Sequence, residues 1–304
     1  MAVGRFAPSP TGRMHLGNVF SALLSWLSVK SKGGQWLLRI EDIDPVRSRQ
    51  EYVKLLMDDL CWLGLEWDGE PVYQSQRSDI YTHYYNILCE QGLTYPCYCT
   101  RADLLATQAP HESDGRVVYA GTCRHRPPRP SQAAATRLIV PDKKVAFIDG
   151  HYGERHVNLA QQVGDFIIRR KDGAWAYQLA VVIDDALMDV TEVVRGRDLL
   201  LSTPQQLYVA RLLGFPEPQF FHLPLLLGDS GERLSKRDRS LDMEALRQRH
   251  TASEIIGLLA YLAGLQSEPH PIMPVELLDS FTWNVVPCSD IPFYSSYIRS
   301  ISLR

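Results

Sequence analysis

Apolar residues in this chain follow two rhythms, a short unbroken run and a helical spacing, and the two alternate. Val3 to Ala7 is a brief apolar run that predicts a buried strand, and Pro8-Ser9-Pro10-Thr11-Gly12 after it has the composition of a turn. Val19, Phe20, Leu23, Leu24 and Leu27 then recur at helical spacing. Gln35 to Ile40 is a second strand-like run, ending at Glu41-Asp42-Ile43-Asp44-Pro45. Tyr52, Leu55, Leu56, Leu60 and Leu63 predict an amphipathic helix before the Asp68-Gly69 turn, and Ile80, Tyr84, Ile87 and Leu88 predict another. Strands alternating with helices imply crossover units and a mostly parallel sheet, hence an α/β fold.

The rhythm breaks after Thr94. Residues from about 95 to 135 are rich in Cys, Pro, Arg and Gly and read as an insertion. Thr136 to Val140, Val145 to Asp149 and Val163 to Arg169 predict short strands, with Asp172-Gly173 as a hairpin turn. Alternation returns with a strand over Val190 to Val194, a helix around Pro204 to Leu213 and a strand over Phe220 to Leu227. From Leu241 the spacing is helical, most clearly at Ile255, Ile256, Leu259 and Leu262, while Pro292 to Arg304 has no periodicity and receives no element. The expected division is 1–94 and 186–240 as two halves of one sheet domain, 95–185 as an inserted subdomain, and 241–304 as a helical segment with an unassigned tail.

Composition narrows the picture mainly by exclusion. A chain of 304 residues has room for roughly two domains. Its net charge of −3 gives no overall basic field, so nucleic acid would have to meet local patches such as Arg169-Arg170-Lys171 or Arg124 to Arg129. No apolar run reaches the ~18 residues of a membrane span, and the N-terminus lacks a secretory pattern, so no membrane partner and a cytoplasmic location are expected. Six cysteines, three of them clustered, suit a reducing compartment and a metal better than a disulfide framework. Neither a Gly-x-Gly-x-x-Gly turn after a strand nor a Walker-type loop is present.

Two short motifs carry the candidate chemistry. Arg13-Met14-His15-Leu16-Gly17-Asn18 sits at the predicted junction of the first strand and helix, and Arg233-Leu234-Ser235-Lys236-Arg237 lies far downstream. In this order and separation they resemble the two ATP-binding signatures of class I aminoacyl-tRNA synthetases, usually His-x-Gly-His and Lys-Met-Ser-Lys-Ser. Asn18, Arg233, Leu234 and Arg237 depart from those patterns. The resemblance implies a Rossmann-like catalytic domain that binds ATP with Mg²⁺ at His15, Gly17, Asn18 and Lys236, with His15 and Lys236 as catalytic groups. A helix N-terminus offers unsatisfied N–H groups to phosphate, and a preorganised donor aimed at developing charge is worth roughly 10²–10³ in rate.

A narrower resemblance follows from Arg5-Phe6-Ala7-Pro8-Ser9-Pro10-Thr11-Gly12, Arg39-Ile40-Glu41-Asp42-Ile43-Asp44, Tyr177 and Val194-Arg195-Gly196-Arg197-Asp198. Over residues 1 to about 260 the chain is similar to the glutamyl-tRNA synthetase group. That likeness implies that Arg5, Ser9, Glu41, Tyr177 and Arg195 hold glutamate. The chemistry agrees, since guanidinium forks suit its two carboxylates and Glu41 suits its ammonium. Usual members of the group continue past the second motif into a long helical half that reads the anticodon, and the stretch after Arg237 is too short for one. The chain resembles the truncated members, which activate glutamate with ATP and transfer it to the queuosine base in the anticodon loop of tRNA(Asp). The expected partners are queuosine-bearing tRNA(Asp), glutamate and ATP, and the expected state is a monomer. Rival readings are ordinary glutamylation of the tRNA(Glu) 3′ end and a zinc-bearing nucleic-acid-binding protein without catalysis.

The cysteine cluster is the other constellation. Cys97, Cys99 and Cys123 supply three soft ligands suited to tetrahedral Zn²⁺. Tyr119 and His125 are both near enough in sequence to be the fourth. Ligand chemistry alone favours His125, whereas the resemblance implies Tyr119. Such a site would be structural, because a short Pro-rich insertion has little apolar content to hold itself together. Cys61, Cys89 and Cys288 are expected in the core.

Overall fold

The computed structural model describes residues 1–100, 102–103, 118–129, 131–234, 241–294 and 297–298. Its centre is a seven-stranded sheet in which β1 (Val3–Phe6), β2 (Gln35–Ile40), β3 (Val72–Tyr73), β6 (Lys144–Asp149), β7 (Gly153–Asn158), β9 (Glu192–Gly196) and β10 (Gln219–Leu223) take the order β3-β2-β1-β9-β10-β6-β7. All neighbours are parallel except β6 and β7, which form an antiparallel edge. A second, three-stranded antiparallel sheet holds β4 (Thr94–Cys97), β5 (Ala135–Leu138) and β8 (Phe166–Arg169). The α/β class expected from the alternation is what the structure has.

Both faces of the main sheet are covered, as parallel strands require. Alternation along β9 and β10 sends Val194 and Phe221 into one core and Val193 and Phe220 into the other. The first core is built on helix α1 (Leu16–Lys30), helix α2 (Gln50–Trp62) and the helix Ala252–Leu262; α1 is apolar on nearly all sides and accordingly buried. The second core packs helix α3 (Ser78–Glu90) with the helices Tyr177–Leu187 and Thr203–Leu213.

Several elements differ from the sequence reading. The run Phe220 to Leu227 is two strands, because Pro224 has no N–H to continue the ladder; β11 (Leu226–Leu227) pairs instead with β12 (Ile291–Pro292). The edge strand β7 and the helix Tyr177–Leu187 were not expected. Within 95–185 the strands divide: β4, β5 and β8 stand apart, while β6 and β7 extend the main sheet, because Val145 and Val157 belong to the second core. Cys61 and Cys288 are exposed and Cys89 is half-buried, contrary to the expected core positions. Cys61 follows the buried Leu60 on an amphipathic helix and so turns outward, and Cys288 lies beyond the last packed helix.

The segment carrying Tyr119 and Cys123 meets the chain that leads into β8 at Gly164. This residue has φ +73°, bridges to Tyr119, and would put a Cβ 2.3 Å from the Tyr119 carbonyl oxygen. Gly164→Ala should therefore cost at least about 1–2 kcal/mol in chemical denaturation, from the left-handed backbone alone; an unchanged midpoint would contradict both the left-handed conformation and the close contact.

Candidate active site and metal centre

The carboxyl ends of β1, β2, β9 and β10 open into a cleft of about 890 Å³, the position where open parallel sheets bind ligands. Arg5, Ser9, His15, Gly17, Asn18, Glu41, Tyr177 and Arg195 all line it. Lys236 lies outside the described residues.

His15 is the N-cap of α1. Its Nδ1 accepts the Gly17 N–H at 3.1 Å, and Asn18 Oδ1 accepts the His15 N–H at 3.1 Å, closing a capping box. With Nδ1 accepting, the neutral ring carries its proton on Nε2. A Cβ at residue 17 would lie 3.1 Å from His15 Cε1, so a larger residue there would press on the ring. The chain returning from the second motif pairs with the first: Asp242 bridges His15, and the Met243 N–H donates to the Met14 carbonyl at 2.9 Å. Buried Asp59 braces the same junction, accepting from Arg13 at 3.3 Å and Arg247 at 2.8 Å.

A buried charge network forms one wall. Asp185 accepts Arg5 Nε at 3.0 Å and Arg39 Nη1 at 2.6 Å, and Arg39 Nη2 reaches Glu41 at 3.3 Å. Next to it, Asp184 accepts from Gln74 at 2.7 Å, Arg77 at 2.6 Å and Tyr81 at 2.8 Å. Burial works against the charge on Arg39, but Asp185, Glu41 and Asp184 outweigh it and raise its pKa. Burial likewise opposes ionisation of Asp185, and Arg39 and Arg5 reverse the effect and lower its pKa. For Glu41 burial prevails over Arg39 and Arg5, and its pKa lies above the ordinary range.

On β9, the strand next to β1, lies Arg195, which is buried yet among the described residues has no carboxylate as a hydrogen-bond partner. Its Nε donates to His222 Nε2 at 3.1 Å, Nη1 to Gln206 at 2.7 Å and Tyr177 Oη at 3.3 Å, and Nη2 to Thr203 at 2.8 Å and the Leu199 carbonyl at 3.4 Å. The two longest contacts, Tyr177 and Leu199, are the two that line the cleft. Burial is the main cause that lowers the pKa of Arg195. An anion entering the cleft would relieve that cost. Sequence reading missed the residues behind these groups. Asp184-Asp185 within an otherwise apolar helix was the one local signal, since buried carboxylates demand cationic partners.

At the small sheet, the sulfurs of Cys97, Cys99 and Cys123 lie within 4.8 Å of one another. The Tyr119 hydroxyl is 3.5 Å from Cys97 Sγ and 3.9 Å from Cys99 Sγ, and Cys99 and Cys123 are 3.6 Å apart. Tetrahedral Zn–S bonds of about 2.3 Å would separate sulfurs by roughly 3.8 Å, so the set fits that ion. His125 is exposed and outside this group. The basic patches are partly used internally: Arg124 pairs with Asp165, and Arg170 with Asp44 and Asp172. Among the described residues no helix is long and apolar enough to cross a membrane.

Comparison with known proteins agrees with this geometry. Residues 1–286 match the family described as tRNA synthetases class I (E and Q), catalytic domain. A glutamate tRNA ligase from Elizabethkingia meningosepticum, solved in complex with its amino acid, superposes with a TM-score of 0.83 at 26% identity, covering 99% of this chain and 68% of that one. The chain therefore belongs to the class I tRNA synthetases of the glutamate and glutamine group, and it is a ligase. Its place within that group is with the glutamyl-Q tRNA(Asp) synthetases. The protein of that name from Symbiobacterium thermophilum is 43% identical over 321 residues and 99% of each chain, and that from Nitratidesulfovibrio vulgaris is 44% identical over 304 residues and 94% of each.

One consequence of the site's electrostatics is measurable directly. Burial, aided by Arg195, lowers the pKa of His222 to about 4. The unfolded chain therefore binds a proton that the fold refuses. The stability this residue contributes is present above about pH 6.5 and is lost as pH falls through about 4. Ring ¹⁵N spectra should show a neutral His222 with its proton on Nδ1 down to about that pH; titration near 6.5 would contradict it.

Proposed function

We propose that this ligase activates glutamate with ATP and transfers it to the queuosine base in the anticodon loop of tRNA(Asp). The observation that carries the glutamate half is Arg195, a buried guanidinium whose hydrogen-bond partners among the described residues are all neutral and whose two longest contacts, Tyr177 and Leu199, line the cleft. A bidentate carboxylate is the ligand such a fork prefers. Arg5 receives the other carboxylate, Glu41 the ammonium, and Ser9 and Tyr177 complete the pocket. His15, Gly17, Asn18 and Lys236 hold the ATP phosphates, and Mg²⁺ brought with ATP would help neutralise their charge.

In the first step the α-carboxylate attacks the α-phosphorus, giving glutamyl-adenylate and pyrophosphate. The proton on His15 Nε2 donates to the phosphate as its charge grows, and Lys236 meets the departing pyrophosphate. In the second step a hydroxyl of the queuosine ring attacks the adenylate carbonyl and AMP leaves, chiefly through positioning. The queuosine acceptor is supported by the names of relatives that match nearly their whole length.

The decisive experiment offers labelled glutamate and ATP with tRNA(Asp) bearing queuosine, tRNA(Asp) lacking it, and tRNA(Glu). Label is expected on the first alone; label on tRNA(Glu) would overturn the acceptor. Cys97, Cys99, Cys123 and Tyr119 would hold a structural Zn²⁺ that braces the small sheet. Metal analysis should then find about one zinc per chain in the wild type and in His125→Ala, and a marked loss in Cys123→Ser and Tyr119→Phe. Loss in His125→Ala instead would move the fourth ligand.

A further inference from the structure

Arg195 does not stand alone: a buried chain of side chains lies behind it. His222, fully buried on β10, gives its Nε2 to Arg195 Nε at 3.1 Å and to the Thr203 hydroxyl at 3.2 Å. Arginine can only donate, so Nε2 is the lone-pair nitrogen and Nδ1 carries the proton. That proton goes to Asp149 Oδ2, 2.5 Å away. Asp149 is buried at the end of β6, and its Oδ1 accepts the backbone N–H groups of His151 at 3.0 Å, Tyr152 at 2.8 Å and His222 at 3.3 Å. With three backbone donors on one oxygen, the carboxylate has one orientation. It fixes one tautomer of His222, and that tautomer fixes the plane of Arg195.

We infer that Asp149 and His222 are positioning residues that aim Arg195 at the substrate carboxylate while leaving its charge unneutralised. A carboxylate in direct contact with Arg195 would occupy the fork and compete with the ligand. Placing the anion one imidazole away orients the guanidinium and leaves its cleft-side Nη donors on two long contacts, to Tyr177 and Leu199, that a carboxylate can replace. The arrangement makes Arg195 selective for an acid over the corresponding amide, since a neutral amide would leave the buried cation unmatched. The inference rests on the reading of Arg195 as a glutamate ligand.

Two variants separate aim from bulk structure. In Asp149→Asn the amide Oδ1 keeps the backbone donors and its NH₂ faces His222 Nδ1. The imidazole proton is thereby driven to Nε2, where it opposes the Arg195 Nε–H. In His222→Gln the side-chain oxygen replaces Nε2 as the acceptor for Arg195. Glutamate- and ATP-dependent pyrophosphate exchange should show KM for glutamate raised at least about tenfold in Asp149→Asn, with KM for ATP within about twofold, and the preference for glutamate over glutamine reduced. His222→Gln should stay nearer the wild type than His222→Ala, and ¹⁵N spectra of Asp149→Asn should show the switched tautomer. Equal changes in both KM values, or none, in an active enzyme would overturn the positioning role alone. A wild-type enzyme without glutamate-dependent exchange would overturn the glutamate reading itself.

Discussion

Two adjacent carboxylates in an apolar helix set the terms for the rest of the molecule. Asp184 and Asp185 are held in the interior of the helix Tyr177–Leu187, where an unpaired charge would be prohibitive. The partners they require come from far apart in sequence: Arg5 on β1, Arg39 on β2, Gln74 and Arg77 just before α3, and Tyr81 in its first turn. Satisfying these two groups docks the helix across the sheet in one register. Removing one member of such a network costs roughly 3–5 kcal/mol, because the other charges remain buried without a partner. That wall of the cleft is thus held by the same bonds that hold the fold.

The cleft treats Arg5 and Arg195 differently. Arg5 is tied to Asp185 through Nε, so its charge is largely balanced and its orientation is fixed by a salt bridge. Arg195 is held at every donor, but among the described residues by neutral groups alone. With Arg5 balanced and Arg195 not, this part of the pocket has an electrical direction. Glu41 lines the same cleft beside Arg39, and burial holds its carboxyl above the ordinary range.

Much of the fold was legible in the sequence because it depends on local period. The β1–α1–β2 unit, α2, α3 and the helix Ala252–Leu262 all follow apolar spacing. The break at Pro224 was legible in principle, since a residue without an N–H interrupts a ladder, but the continuous apolar run masked it. Edge strand β7, Gly-Glu-Arg-His-Val-Asn, carries only one strongly apolar residue, so its pairing with β6 had no period to reveal it. The site divides in the same way. Residues set in short motifs, such as His15, Gly17 and Glu41, could be found by order and spacing. Asp149 and His222 could not, because their partnership exists only after two distant strands become neighbours.

The two margins of the main sheet have a bearing on how copies of this protein meet one another. An open β edge offers unpaired backbone groups to any strand that approaches. At one margin β3 is only two residues long, too brief to template a partner. At the other, β7 presents Glu154, Arg155 and His156 in succession, so a second copy adding there would have to desolvate charge at consecutive positions. The sheet is closed at one end by brevity and at the other by charge, and edge-to-edge growth is disfavoured even though β6 leaves Ile148 exposed beside it.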